Sequence, residues 1–335
     1  APVALSSSRE RGEGHPSRRS AAPSLPMVST SDVSEIRLDR LPPEAESVAG
    51  QYRGAATGFL LSLPATLLIL VVIVFPFAYV AGMSLYNEAT GEFVGTTNFR
   101  RVLSSTDFLP SVWVSLIWTI SNLVIQTVCG LALALFLNQR FRGRDAARTL
   151  FLVPFVVPTA VVALMFTWMV NSTFGVINHL ILTSGMSDTP LNFLGDPRYA
   201  LPTVILINCW RWIPLVALII FSILQGIPRS EYEAARVEGA GRWATFRFIT
   251  YPYLGRSMTA IGLLGTLLTF NIFDLIWLLT AGGPVNRTRS LPVLIYEFAF
   301  GRQDLGAAAA ASVVMFLMLL VFTLLYFQRR DFKVE

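Results

Sequence analysis

Long uninterrupted apolar runs alternate along this chain with shorter polar connectors. Six apolar stretches lie near residues 58–82, 111–137, 150–170, 201–224, 257–280 and 306–327, each close to the roughly 20 residues a helix needs to cross the hydrocarbon core. They are continuous and rich in Leu, Ala, Val and Ile, without the alternating ten-residue segments of a membrane barrel. A helix pairs its backbone groups internally, as lipid demands. The pattern predicts an all-α integral membrane protein with six transmembrane helices. Pro76, Pro154, Pro158 and Pro214 fall within or at the ends of these runs and predict kinks.

The polar segments divide into three kinds. Residues 1–57 are rich in Ser, Pro, Arg and Glu and bury too little apolar surface to order themselves, which predicts a disordered tail. Its charged stretch is too long for a secretory signal. Connectors near 83–110, 171–200 and 281–305 carry turn formers such as Gly91, Gly185, Pro197 and Gly282-Gly283-Pro284 and are too short for folded domains. The third kind is a single segment of about thirty residues, 225–257, between the fourth and fifth runs. Gly226-Ile227-Pro228 stops the preceding helix there. Ser230 then stands as the N-cap of a new one, with Glu231 and Glu233 in its first turn. Gly239 and Gly241 break it, and Trp243 to Phe248 forms a second short helix before Pro252. The domain reading is therefore a tail over 1–57, a membrane domain over 58–328 containing the 225–257 loop, and a short C-terminal tail over 329–335.

Charge supplies the orientation. Arginines crowd the N-terminal tail, the connector after the second run (Arg140, Arg142, Arg144, Arg148), the 225–257 segment (Arg229, Arg236, Arg242, Arg247, Arg256) and the C-terminus. The other connectors hold only Arg100, Arg101, Arg198, Arg287, Arg289 and Arg302. The positive-inside rule puts both termini and the 225–257 loop in the cytoplasm. The net charge of +5 and mean hydropathy of +0.58 thus express membrane topology, and no nucleic-acid partner is expected. Cys129 and Cys209 lie far apart inside runs, and the only histidines are His15 and His179. No disulfide framework or metal cluster is expected. No phosphate-cradling Gly-rich loop occurs, so the chain is expected to bind no cofactor and catalyse no reaction.

Two constellations carry candidate function. In the first, Glu233-Ala234-Ala235-x-x-x-Gly239 lies on a water-exposed helix between membrane runs. Small residues keep one helical surface flat for close approach by another protein, and Glu233 offers a carboxylate to a partner's arginine. An ordinary interfacial amphipathic helix is the bland alternative. The second is a set of polar groups inside runs: Asn208, Arg211, Thr269, Asn271 and Asp274 are costly in lipid and should face protein or a water-filled path. Asn and Asp suit hydroxyl groups, and Trp210 and Trp212 offer flat faces for a sugar ring. Helix-to-helix gluing by the same residues, or an Arg211–Asp274 ion pair that fixes packing, stands as an equal reading.

The 225–257 segment resembles the EAA loop of binding-protein-dependent ABC transporter permeases. Residues 58–328 resemble the carbohydrate-uptake branch, of the maltose-permease first-subunit type. Matching stretches include Arg148 to Pro154 with Pro158, Phe174-Gly175-x-x-Asn178, and Trp210-Arg211-Trp212-Ile213-Pro214. The most specific is Phe273-Asp274-x-x-x-x-Leu279-Thr280-x-Gly282-Gly283-Pro284, followed by Thr288 and Tyr296-x-x-Ala299-Phe300. Departures are mild: Glu238 replaces the usual Asp, Tyr251 the usual Leu, and the long N-terminal tail is atypical. The resemblance implies a type I importer permease fold with cytoplasmic EAA coupling helices, in the bacterial cytoplasmic membrane. Implied partners are a second homologous permease, an ATPase dimer that binds ATP and Mg, and an extracytoplasmic solute-binding protein. Glu233, Ala234, Ala235 and Gly239 would couple to the ATPase. Asn208 and Thr269 would line the solute site, with Arg211, Trp212, Asn271 and Asp274 as neighbours. Ile272 and Gly265 stand where the maltose pattern is polar, so a different pocket is expected. The implied solute is a mono- or disaccharide, with a polyol or glycerol 3-phosphate as alternative. An ion-coupled secondary transporter is the rival class, with Asp274 its one clear acidic candidate.

Overall fold

The computed structural model describes residues 61–87, 90–139 and 141–328, so both predicted tails lie outside the described residues. Two compact units are distinguished, 1–70 and 71–335. Of the first, residues 61–70 are helical and exposed. In chain order the helices are α1 (Leu61–Met83), α2 (Thr97–Leu103), α3 (Phe108–Asn138), α4 (Arg144–Val156), α5 (Thr159–Met169), α6 (Val176–Thr183) and α7 (Ala200–Gln225). There follow α8 (Arg229–Val237), α9 (Arg242–Thr245), α10 (Tyr251–Phe270), α11 (Asp274–Thr280), α12 (Leu291–Tyr296) and α13 (Leu305–Gln328). The only strand-like feature among the described residues is the isolated bridge Tyr86–Phe93.

Helices α1, α3, α7 and α13 are each long and apolar enough to cross a membrane. The predicted third and fifth runs are broken. The third turns through 93° between α4 and α5, and the fifth through 42° between α10 and α11, giving six spans when each bent pair counts as one. The sharp break follows from Pro158: Val157 before it takes an extended backbone (φ −67°, ψ 128°), as a residue preceding proline prefers. Pro158 then starts α5 without needing a donor. A kink expected from sequence is thus a near right angle. Pro214 sits buried inside α7 without breaking it.

The centre of the second unit is the α3–α7 pair. Gly130 makes their approach possible, because a Cβ there would stand 2.8 Å from Val216 Cγ1. Close approach through small residues is how helices gain contact when lipid tails supply no hydrophobic drive. The same device recurs on α13, whose Ala307–Ala311 run is buried against α2 and α12. Three buried clusters result. One joins α3, α5, α7, α11 and α12, a second joins α2, α12 and α13, and a third joins the ends of α3 and α7 to Leu254 of α10.

The connector after α11 has a built geometry. Ala281 and Gly282 take positive φ, Thr288 Oγ1 donates to Gly283 O at 2.7 Å, and the Thr280 and Thr288 hydroxyls meet at 2.7 Å. Phe273, Trp277, Tyr296 and Phe300 stack in sequence with ring centres 4.5–5.6 Å apart. These contacts explain the Thr280, Gly282, Thr288, Tyr296 and Phe300 pattern as the closure of one loop. Charges fasten it to α3. Buried Arg289 pairs with Asp107 and, at 3.1 Å, with Glu297, while Arg302 reaches Asp107 at 2.6 Å. The Arg302 hydrogen bond, followed by that of Arg289, outweighs partial burial and holds the Asp107 carboxyl below its usual range.

Candidate coupling segment and intramembrane polar site

Helix α8 does not start on a Ser230 cap as the sequence predicts. Pro228 (φ −57°) is the N-cap, no side chain caps the helix, and Ser230 lies in the first turn. A preset proline φ starts the helix without a capping hydroxyl. The end is a Schellman turn, in which Gly239 N–H donates to Arg236 O at 3.1 Å and Ala240 N–H to Ala235 O at 2.8 Å. Gly239 sits at φ +76°, so its glycine is first a backbone requirement. Around it the chain is open, with no atom within 4 Å of a notional Cβ.

One face of α8 is sealed and the other bare. Ala235 is 7% exposed and Ile227 5%, Tyr232 packs on the cluster at the α3 and α7 ends, and its hydroxyl meets Thr250 Oγ1 at 3.2 Å. Glu233, Ala234 and Val237 are exposed, Val237 to 90%. Of the four coupling positions named from sequence, Glu233, Ala234 and Gly239 therefore share open surface while Ala235 faces inward and fastens the helix. The predicted second short helix is instead continuous with the fifth span: α9 passes through a π-turn, Phe246–Thr250, into α10. Pro252 lies in the first turn of α10, and the wider turn accommodates its missing donor. Trp243, Phe248 and Tyr251 stay exposed along this stretch.

Inside the bundle the polar residues separate. Asn208 is 0% exposed and its Nδ2 donates to Asn122 Oδ1 at 2.7 Å. That oxygen also accepts from Gln126 Nε2 at 3.1 Å and Cys209 Sγ at 3.3 Å. Asn122 Nδ2 donates to Trp118 O at 2.8 Å, and Trp118 Nε1 to Thr269 O at 2.9 Å. This chain of bonds ties α3, α7 and α10 together, and Thr269 is buried within it. Asn271 and Asp274 are both exposed at the α10–α11 break. Asn271 Nδ2 donates to Leu267 O at 2.7 Å, and Asp274 opens α11, where the helix dipole favours a carboxylate.

The Arg211–Asp274 ion pair is not formed. The Arg211 guanidinium stacks 5.6 Å from the ring centre of Trp212 and its Nε is buried without an acceptor. Trp212 meets Phe155 edge-on at 5.6 Å with its Nε1 unpartnered, and Trp210 meets Phe166 at 5.2 Å. Both rings thus pack between spans, with Trp210 still partly open at 38% exposure. Sequence reasoning missed the polar stripe of α3: Ser111, Ser115, Thr119, Asn122 and Gln126 are all buried. Their spacing of three and four residues inside an apolar span was the available signal. The Asp107–Arg289–Glu297–Arg302 network was missed as well, because its partners lie far apart in the chain.

Broken spans, a buried polar seam between apolar helices, and a short helix packed on one face and bare on the other belong to a multi-span membrane component. The family described as binding-protein-dependent transport system inner membrane component matches residues 126–333. The trehalose/maltose transport system permease protein MalF of Thermococcus litoralis is 33% identical over 287 residues, covering 84% of this chain and 96% of that protein. The inner membrane ABC transporter permease protein YcjO of Escherichia coli is 36% identical over 237 residues, 70% of this chain and 78% of YcjO. The sulfoquinovosyl glycerol transport system permease protein SmoG of Agrobacterium fabrum is 30% identical over 272 residues, 80% and 88%. The crystal structure of a bacterial ABC transporter involved in the import of the acidic polysaccharide alginate shares the fold, with a TM-score of 0.75 at 20% identity, covering 86% of this chain and all of the matched one. The chain belongs to the family of binding-protein-dependent transport system inner membrane components.

Proposed function

We propose that this chain is one of two permease subunits of an importer that carries a mono- or disaccharide across the cytoplasmic membrane, driven by ATP hydrolysis in a partner ATPase dimer. The observation that carries the reading is α8: bare on the side of Glu233, Ala234 and Gly239, and fastened beneath by Ala235, Ile227 and Tyr232. A helix so held moves with α7 and α10 as one body. A push on its exposed face therefore reaches the spans, and two-state rocking of the permeases would expose the path alternately to each side. Sugar as the cargo class is supported by the similarity to permeases named for trehalose/maltose and sulfoquinovosyl glycerol.

Within the spans, the proposed lining centres on Asn271 and Asp274. They are polar, exposed on this subunit and too costly to face lipid, so their neighbours would be the second permease or the solute path. Asn208 and Thr269 shape that wall from behind. A second reading follows from Arg211, a charged group with no carboxylate partner in its span, which favours an anionic solute such as glycerol 3-phosphate. Uptake of labelled mono- and disaccharides and of glycerol 3-phosphate, compared between cells with and without the chain, tests both. Chain-dependent uptake of a sugar supports the first reading, chain-dependent uptake of the phosphate ester alone supports the second, and dependence of neither overturns both.

A further inference from the structure

The far end of α3 packs beside α8. At its start, the opposite end of the bundle, a cavity of about 420 Å³ opens against the loop that follows α11. Thr106, Asp107, Trp113, Asn286, Arg287 and Arg289 are among its lining groups. One wall is fixed, because buried Arg289 is bonded to Asp107 and Glu297 and the Thr288 hydroxyl closes on Gly283 O. The rest is open. Thr106, Asn286 and Arg287 are exposed, and their side chains have no hydrogen-bond or ion-pair partner among the described residues. The Trp113 indole on the same cavity is 59% exposed. Asp107 accepts from Arg289 and Arg302 through different oxygens, and each carboxylate oxygen retains a second lone pair.

The backbone at the cavity's edge is strained. Val285 and Asn286 take consecutive positive φ of 49° and 59°, a conformation asparagine visits and a β-branched residue resists. Val285 is 81% exposed, so no burial of its side chain offsets the cost. Strain held in this way gathers where a chain makes contact with a ligand. The unused groups around the cavity are a hydroxyl, an amide, a guanidinium and a carboxylate, beside one flat aromatic ring. That set suits a polyhydroxylated molecule, whose hydroxyls both donate and accept and whose C–H face lies on an indole. The volume falls within the range of small-molecule sites, roughly 300–1,000 Å³. A tryptophan of the interfacial belt needs no polar groups arranged about it, and a guanidinium is costly against lipid.

We propose that this cavity is an entry site for a saccharide, one pyranose ring lying on Trp113 with its hydroxyls bonded to Thr106, Asn286, Arg287 and Asp107. In the orientation given by the arginines it opens on the extracytoplasmic side, where it holds the cargo before the spans take it in. The length of α11 lies between this cavity and the lining at Asn271 and Asp274. The entry site rests on the sugar reading above and is lost separately from it.

Saturation-transfer NMR tests this on the full chain, purified from its native membrane in a detergent without a sugar headgroup, with glucose, maltose and trehalose as probes. The wild-type chain should bind at least one of these sugars. W113A should weaken that binding about tenfold, and W113F should restore most of it. N286G keeps the positive φ while removing the amide, and should weaken binding about fivefold, the worth of one hydrogen bond. If W113A fails to fold, N286G decides. Absence of transfer to all three sugars overturns the entry site, and the uptake comparison then decides the sugar reading by itself. Binding that survives W113A combined with N286G but is lost from D274N overturns the entry site and leaves the sugar reading standing. If no sugar binds while R287E weakens capture of a co-purifying solute-binding protein, the surface is a protein contact and the saccharide site is overturned.

Discussion

Ala234 on α8 and Asn208 on α7 were both candidate binding positions in the sequence, and the fold treats them in opposite ways. Ala234 is exposed on a helix whose other face is packed, so nothing within the described chain uses its surface. Asn208 is enclosed and bonded to Asn122, so the chain itself uses its amide. The difference shows that a polar residue inside a membrane span is first a claim on a neighbouring helix. A small residue left bare on a polar helix makes no such claim within the chain, and under the proposed function its surface is left for a partner. Breaking each position should therefore disturb different properties.

The largest effect on transport is expected at α8. A234D adds bulk and charge where this chain has no contact, so thermal stability should change by less than about 0.5 kcal/mol while solute uptake falls at least about tenfold, a loss of some 1.4 kcal/mol in coupling. Detergent melting curves and vesicle uptake measure the two sides. G239D should also abolish uptake but adds backbone strain at φ +76°, and G239N, equal in size and similarly tolerant of that conformation, separates the effect of charge from that of bulk and strain.

Next comes the helix interface. G130L forces a side chain into space where even a Cβ would lie 2.8 Å from Val216, and overpacking of this kind costs about 1–3 kcal/mol. A lowered melting temperature with unchanged solute affinity in whatever protein remains folded is the expected outcome. D107N should weaken the ties from α3 to the loop after α11 by about 2 kcal/mol, the scale of hydrogen bonds to charged groups. The same network gives a pH dependence. Because the folded Asp107 pKa lies below its ordinary 3.8, its contribution is present at neutral pH and is lost as pH falls below the usual carboxylate range through the lowered value. Melting curves taken from pH 7 downward should show this loss in the wild type and not in D107N.

The smallest effect sharpens the comparison most. N208A should cost about 0.6–1.7 kcal/mol of stability, typical of a polar contact between membrane helices. D274N should leave stability nearly unchanged yet alter the solute concentration for half-maximal uptake. If N208A changes uptake affinity without changing stability, the division between the two kinds of polar residue fails.

Much of this was legible in the chain. Run length gave six spans, and Gly226-Ile227-Pro228 and Gly239 marked the ends of α8 to within a residue or two, because these signals act locally on the backbone. The right angle at Pro158 was legible as a kink but not in size, since neighbouring helices set the angle. The roles of Asn208, Thr269 and Asn271 were not legible, because rotation of a helix about its axis decides what a side chain meets. Asp107 and Arg289, 182 residues apart in the chain, gave no local sign of pairing.

Purification of the chain from its native membrane in mild detergent, wild type beside A234D, tests the central claim about α8 most directly. The account predicts that an ATPase subunit accompanies the wild-type chain and is lost from A234D, while the membrane domain of the variant melts at the wild-type temperature. A wild-type chain that carries no ATPase, or an A234D chain that keeps it together with full uptake, would contradict the account.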